Sequence, residues 1–145
     1  MAESVKDSID IEATAEEIFE VATDFEAYPE WNPNIKKVEI KETDAEGRAT
    51  KVWMQVDAKV KTITYTLAYD YSEAPEAFSW DLLEGDVKEL SGSYRFDEFD
   101  DVTEVQYETS LDPGFPIPGF LKRQGEKQIA KGALHDLKKR VESLR

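Results

Sequence analysis

The chain has no cysteine and a single histidine, His135. The first absence removes disulfides, thiolate metal sites and cysteine nucleophiles, and it suits a reducing cytoplasm. The second removes the histidine clusters that metal sites and triads use. His135 itself falls off the apolar stripe of the last helical segment, where a solvated side chain is expected. No run approaches the roughly 20 apolar residues of a membrane span, so stable insertion is not expected. Residues 1–7 lack the basic and apolar regions of a signal peptide. No glycine-rich phosphate loop follows a strand, and nothing in these patterns calls for a metal or cofactor. Basic charge is scarce: 18 Lys and Arg stand against 32 Asp and Glu, a net charge of −14. A nucleic-acid partner would need a basic field, so that class is set aside.

What the chain does have is an informative order of elements. Its 145 residues fit one domain, spanning 1–145, with a sizeable core. Val5, Ile9 and Ile11 alternate with polar residues, as on a strand. Thr14 and Glu17 form a capping box that opens a helix carrying Ile18, Val21, Ala22 and Phe25. Pro29 should end it by pushing Tyr28 out of the α region, and residues 28–33 read as a proline-bounded segment holding about one helical turn. Strands follow at 35–42, 49–56, 60–71, around Phe78 to Leu82, at 87–99, and through Val105 to Leu111. Short connections between them predict an antiparallel meander of about seven strands. A proline-rich knuckle at 112–119 then leads into one long helix over 120–144. A long antiparallel sheet ending in a lone helix buries both apolar faces most simply by curving around that helix.

The terminal helix has an uneven face. Ala130, Ala133, Leu134, Leu137, Val141 and Leu144 form a narrow apolar stripe. Continued backwards, the stripe meets Lys127, Glu126 and Arg123. Either the helix emerges early from the sheet, or its first half borders a pocket mouth with polar groups around it. Residues 120–145 hold eight basic and three acidic side chains, a net of +5, which leaves −19 on the rest. This polarity reads as macrodipole compensation and attraction to an acidic body. The other reading is a basic strip for anionic lipid or a protein partner, which leaves room for transient membrane contact.

Three segments together resemble one family. Residues 25–33, Phe-Glu-Ala-Tyr-Pro-Glu-Trp-Asn-Pro, follow a capped helix. Phe78-Ser-Trp-Asp-Leu-Leu-Glu-Gly85 precedes Leu90-Ser-Gly-Ser-Tyr94. The prolines from Pro113 to Pro118 precede a long helix. These resemble bacterial polyketide cyclase/dehydrase-like proteins of the START-like (SRPBCC) helix-grip superfamily, over nearly the whole chain. The resemblance implies an α+β fold in which a seven-stranded antiparallel sheet grips the C-terminal helix. It also implies two short helices between the first two strands and an apolar cavity between sheet and helix. The fold hosts carriers, receptors, cyclases and hydrolases, so it does not fix activity.

Candidate ligand-binding residues follow from the strand faces. Met54, Tyr65, Leu67, Tyr69, Trp80, Tyr94, Phe96 and Tyr107 fall on the apolar side. Aromatics with polar tips suit a large apolar ligand carrying a few oxygens, although the same residues could simply fill the core. The mouth is expected near Trp31, Phe115, Phe120 and Leu121, with Arg123 beside it. Three functions are expected in turn. The first is binding or transport of a hydrophobic molecule such as a lipid, isoprenoid quinone or polyketide. The second is a polyketide aromatase/cyclase using tyrosines, Arg123 or a cavity carboxylate as acid or base. The third is a protein-interaction module. No catalytic constellation is legible, so the balance leans away from an enzyme.

Overall fold

The computed structural model describes residues 3–57, 61–112, 114 and 119–144, with the side chains of residue 3 and of residues 119–129 outside the description. Strand β1 (Glu3–Ile11) leads into α1 (Ala15–Ala22), a 3₁₀ turn (Phe25–Ala27) and α2 (Tyr28–Trp31). Six strands follow: β2 (Ile35–Thr43), β3 (Ala49–Asp57), β4 (Thr62–Asp70), β5 (Ala77–Gly85), β6 (Glu89–Phe99) and β7 (Val102–Asp112). Helix α3 (Gly119–Ser143) closes the chain. The sheet order is β1-β7-β6-β5-β4-β3-β2, antiparallel at every pairing. The helices after β1 therefore carry the chain from one sheet edge to the other, and the rest is a meander.

Local chemistry explains the entry to this crossover. The Thr14 hydroxyl accepts from the Glu17 N–H at 3.2 Å, and the Glu17 carboxylate accepts from the Thr14 N–H at 3.4 Å, so the capping box forms. The Glu98 carboxylate on β6 takes the Ala15 N–H at 2.7 Å, which pins the helix start to the sheet. The helix stops at Ala22, sooner than its apolar spacing predicts, and Phe25 sits in the 3₁₀ turn.

Tyr28 departs from expectation. It is helical, with φ −51° and ψ −44°, although Pro29 follows it. Its ring is buried between Phe25 and Trp31, with centroids 5.3 and 5.0 Å away, and its hydroxyl donates to the Ala22 carbonyl. Pro29 lies in the first turn of α2, where its missing N–H breaks no helical bond. Packing thus overrides the local bias against a helical residue before proline.

The second half of α3 lies against β1, β7 and α1. Ala130, Leu134, Leu137 and Val141 are buried in one cluster with Phe19, Phe78, Trp80, Tyr94, Val105 and Tyr107. Lys138 Nζ donates to the Asp10 carbonyl and to the Glu142 carboxylate, both at 2.8 Å, and Glu142 accepts the Glu12 N–H at 3.1 Å. Leu144, placed on the apolar stripe by its spacing, is instead 61% exposed because the helix ends one residue before it. His135 is exposed, as its position on the wheel implies.

Candidate functional site: the aromatic concave face

Alternation along the strands builds the site. On β4 the inward residues are Tyr65, Leu67 and Tyr69; on β5 they are Phe78, Trp80 and Leu82; on β6, Tyr94 and Phe96; on β7, Val105 and Tyr107. Antiparallel register sets these beside one another: Tyr69 opposite Trp80, Phe78 opposite Tyr94, and Tyr94 opposite Tyr107. The rings form a continuous wall. Centroids are 5.9 Å apart for Tyr69 and Trp80, 5.5 Å for Trp80 and Tyr94, and 5.0 Å for Tyr94 and Tyr107. Such spacing lets offset and edge contacts add to area burial.

Two glycines make room for this wall. A Cβ at Gly92 would lie 2.6 Å from Trp80 Cε2 and 2.8 Å from the Glu108 carbonyl oxygen, so the indole lies directly over the bare strand. Gly85, with φ +150°, stands opposite Tyr65, and a Cβ there would come within 2.6 Å of the Tyr65 Cα. The glycine followed by an aromatic on β6 is therefore a steric requirement of the wall.

A second cluster abuts the first. Phe25, Tyr28, Ile35, Ala49, Val52 and Met54 are buried together near the far sheet edge. Trp31, Tyr65 and Tyr69 pack against both clusters and so mark their junction. The Tyr69 ring lies 4.6 Å from that of Phe25, tilted by 49°, across that junction.

The polar tips of the wall are phenols held in the neutral form. Burial is the main cause, and it pushes the titration of Tyr28, Tyr65, Tyr69, Tyr94 and Tyr107 upward. Neighbouring tyrosines add to the rise, because a phenolate on one would repel a phenolate on the next. Tyr71, at the rim, is raised too; its hydroxyl donates to the Ala49 carbonyl at 2.6 Å. Arg48 lies 5.7 Å over Phe19 and 5.8 Å over Tyr71 and covers this rim with its guanidinium. Besides the tyrosines, the buried polar side chains among the described residues are threonines 66, 103 and 109. Among the described residues, no group of three or more His, Cys, Asp or Glu is placed to hold a metal ion. No described helix is long and apolar enough to cross a membrane.

Of the residues singled out from sequence, Leu67, Trp80, Tyr94 and Tyr107 lie together in the first cluster, and Met54 lies in the second. Tyr65 and Trp31 touch both. Phe115 and the side chains of Phe120, Leu121 and Arg123 lie outside the described residues, as does most of the proline knuckle. Sequence reasoning missed the helical contributions of Phe19 and Tyr28 to the aromatic network. Phe19 follows Ile18 directly, so only one of the two fits a simple stripe. Tyr28 precedes a proline and is expected outside the α region.

The family described as polyketide cyclase / dehydrase and lipid transport has a model that matches residues 2–142. The chain belongs to that family. A START superfamily protein from Mycobacterium smegmatis superposes with a TM-score of 0.89 at 26% identity, over 98% of this chain and 99% of its own. The Zhui aromatase/cyclase from a Streptomyces species gives 0.83 at 20% identity, over 98% and 94%. A Thermus thermophilus protein gives 0.81 at 17% identity, over 98% and 99%. The last two likenesses speak to the fold alone. No curated protein sequence matches the chain. The architecture is the START-like helix-grip fold.

Proposed function

We propose that this chain binds and carries a hydrophobic small molecule between the concave sheet face and α3, with residues 1–145 acting as one binding unit. The observation that carries the reading is the wall of Tyr69, Trp80, Tyr94 and Tyr107. These are large rings with neutral polar tips, aligned on the face that α3 covers. Such a wall suits an apolar molecule with a few oxygens, such as a lipid, an isoprenoid quinone or a polyketide. The mouth of the site takes in Trp31 together with Phe115, Phe120, Leu121 and Arg123.

Carriage is favoured over cyclisation by the polarity of the wall. Its buried polar side chains are tyrosines and threonines, and no carboxylate, amine or imidazole is buried among the described residues. General acid–base catalysis works best with groups titrating near the operating pH, and these phenols are moved away from it. An aromatase/cyclase remains the second reading, supported by the family and by the matching fold of the Streptomyces enzyme.

Titration with 1-anilinonaphthalene-8-sulfonate or a fatty acid tests the reading. Saturable binding at micromolar level, about −8 kcal/mol, is expected, with Trp80→Ala weakening it about tenfold or more. No binding by the wild type would reject both the carrier and the cyclase and favour the protein-interaction module.

A further inference from the structure

We propose that the indole N–H of Trp31 is the anchoring donor for an acceptor oxygen on the bound molecule, so that the site selects an apolar skeleton carrying a carbonyl-type oxygen over the same skeleton without one. This rests on the small-molecule reading above and narrows it.

Trp31 Nε1 is buried and has no hydrogen-bond partner among the described residues. Indole nitrogen only donates, so nothing but an acceptor can satisfy it. A buried donor left unmade is costly, and native proteins rarely tolerate one without a reason. The position adds the reason. Trp31 ends α2 and is fixed edge-on against Tyr28, with centroids 5.0 Å apart and planes at 67°. It packs where the two apolar clusters meet, beside Tyr65 and Tyr69. Trp31 Nε1 is thus a buried donor at this junction whose acceptor the described residues do not supply.

Tyr28 stands apart, because its hydroxyl is committed to the Ala22 carbonyl. That bond holds the ring on which Trp31 leans and so orients the indole. A ligand carbonyl or quinone oxygen meets this junction well. An ammonium does not, because no carboxylate is buried among the described residues. A plain hydrocarbon leaves the indole unsatisfied.

A matched probe pair tests this: 9-fluorenone, with a carbonyl, against fluorene, with a methylene at the same place. The wild type is expected to bind fluorenone about tenfold tighter, the worth of one good buried hydrogen bond. Trp31→Phe keeps a ring and loses the donor, so it should erase most of the fluorenone-over-fluorene preference, whatever the lost ring area does to both affinities together. A second readout needs no variant. In a ¹H–¹⁵N spectrum of the wild type, the Trp31 indole cross-peak should move downfield with fluorenone and not with fluorene. Equal affinity for the two probes, a preference that survives Trp31→Phe, or an unmoved Trp31 cross-peak would overturn the assignment while leaving the binding site itself in place. Binding of neither probe would overturn the site as well.

Discussion

A side chain at position 92 and the Trp80 indole cannot share the same space, since a Cβ there would press on Trp80 and on the Glu108 carbonyl. Gly92→Val is therefore expected to displace Trp80 and cost about 1–3 kcal/mol, the usual range for overpacking. Chemical denaturation gives the stability change, and tryptophan emission reports the displaced ring. Unchanged stability with unchanged emission would mean that the glycine is merely tolerated. The tyrosines carry a pH prediction. All 6 tyrosines of the chain titrate above their ordinary value, chiefly through burial. Between the ordinary phenol value of about 10 and the raised folded values, the unfolded chain has lost phenolic protons that the native state keeps. Their contribution to stability is then complete below about pH 10 and falls as pH rises beyond it. The folded protein should show little tyrosinate absorbance near 295 nm at pH 10, and its melting temperature should drop steeply above that pH. Half-ionised tyrosine at pH 10 in the folded state would contradict the buried wall. At this scale the sequence was legible wherever alternation decides a face, as for Tyr94 and Tyr107. It was misleading at Tyr28, where a buried ring and a bond to the Ala22 carbonyl outweigh the proline that follows.

Helix α3 shows how far periodicity reaches. Leu134, Leu137 and Val141 recur at helical spacing, and all three are at most 2% exposed against the sheet. Leu137→Ala should cost about 2–5 kcal/mol, the range for a buried leucine. Leu144→Ala should stay within about 0.5 kcal/mol, as an exposed position past the last turn does. Equal effects from the two, measured by urea denaturation, would mean that the helix is not seated as described. The opening of α1 was equally readable, because Thr14 and Glu17 form their capping box from residues three apart. Thr14→Ala should cost about 0.5–2 kcal/mol. The bulge in β5 was not readable. Leu67 pairs with Leu82 and Thr66 with Glu84, which leaves Leu83 between them, unpaired and 51% exposed. A bulge depends on the fit between two strands, and neither strand records it alone.

For the whole molecule, the order of elements carried most of the architecture. One capped helix, a run of short-looped strands and a lone terminal helix admit few ways to bury both apolar faces, and the helix-grip sheet is what forms. The candidate site was legible in part, because its rings lie on alternating strands. Of the crossover's share only Trp31 was expected; Phe19 and Tyr28 were not, since they meet the sheet only through the chain's passage from one edge to the other. The charge polarity has a structural counterpart in Lys138, which ties the basic helix to the Asp10 carbonyl on β1. The claim at the centre of this account is that the concave face holds an apolar molecule. Native mass spectrometry of the protein purified without detergent tests it most directly, with organic extraction of whatever is released. The account predicts a population heavier than the polypeptide by one small apolar molecule, recovered intact on denaturation, or full occupancy after incubation with an added fatty acid or quinone. A bare polypeptide mass under both conditions would contradict it.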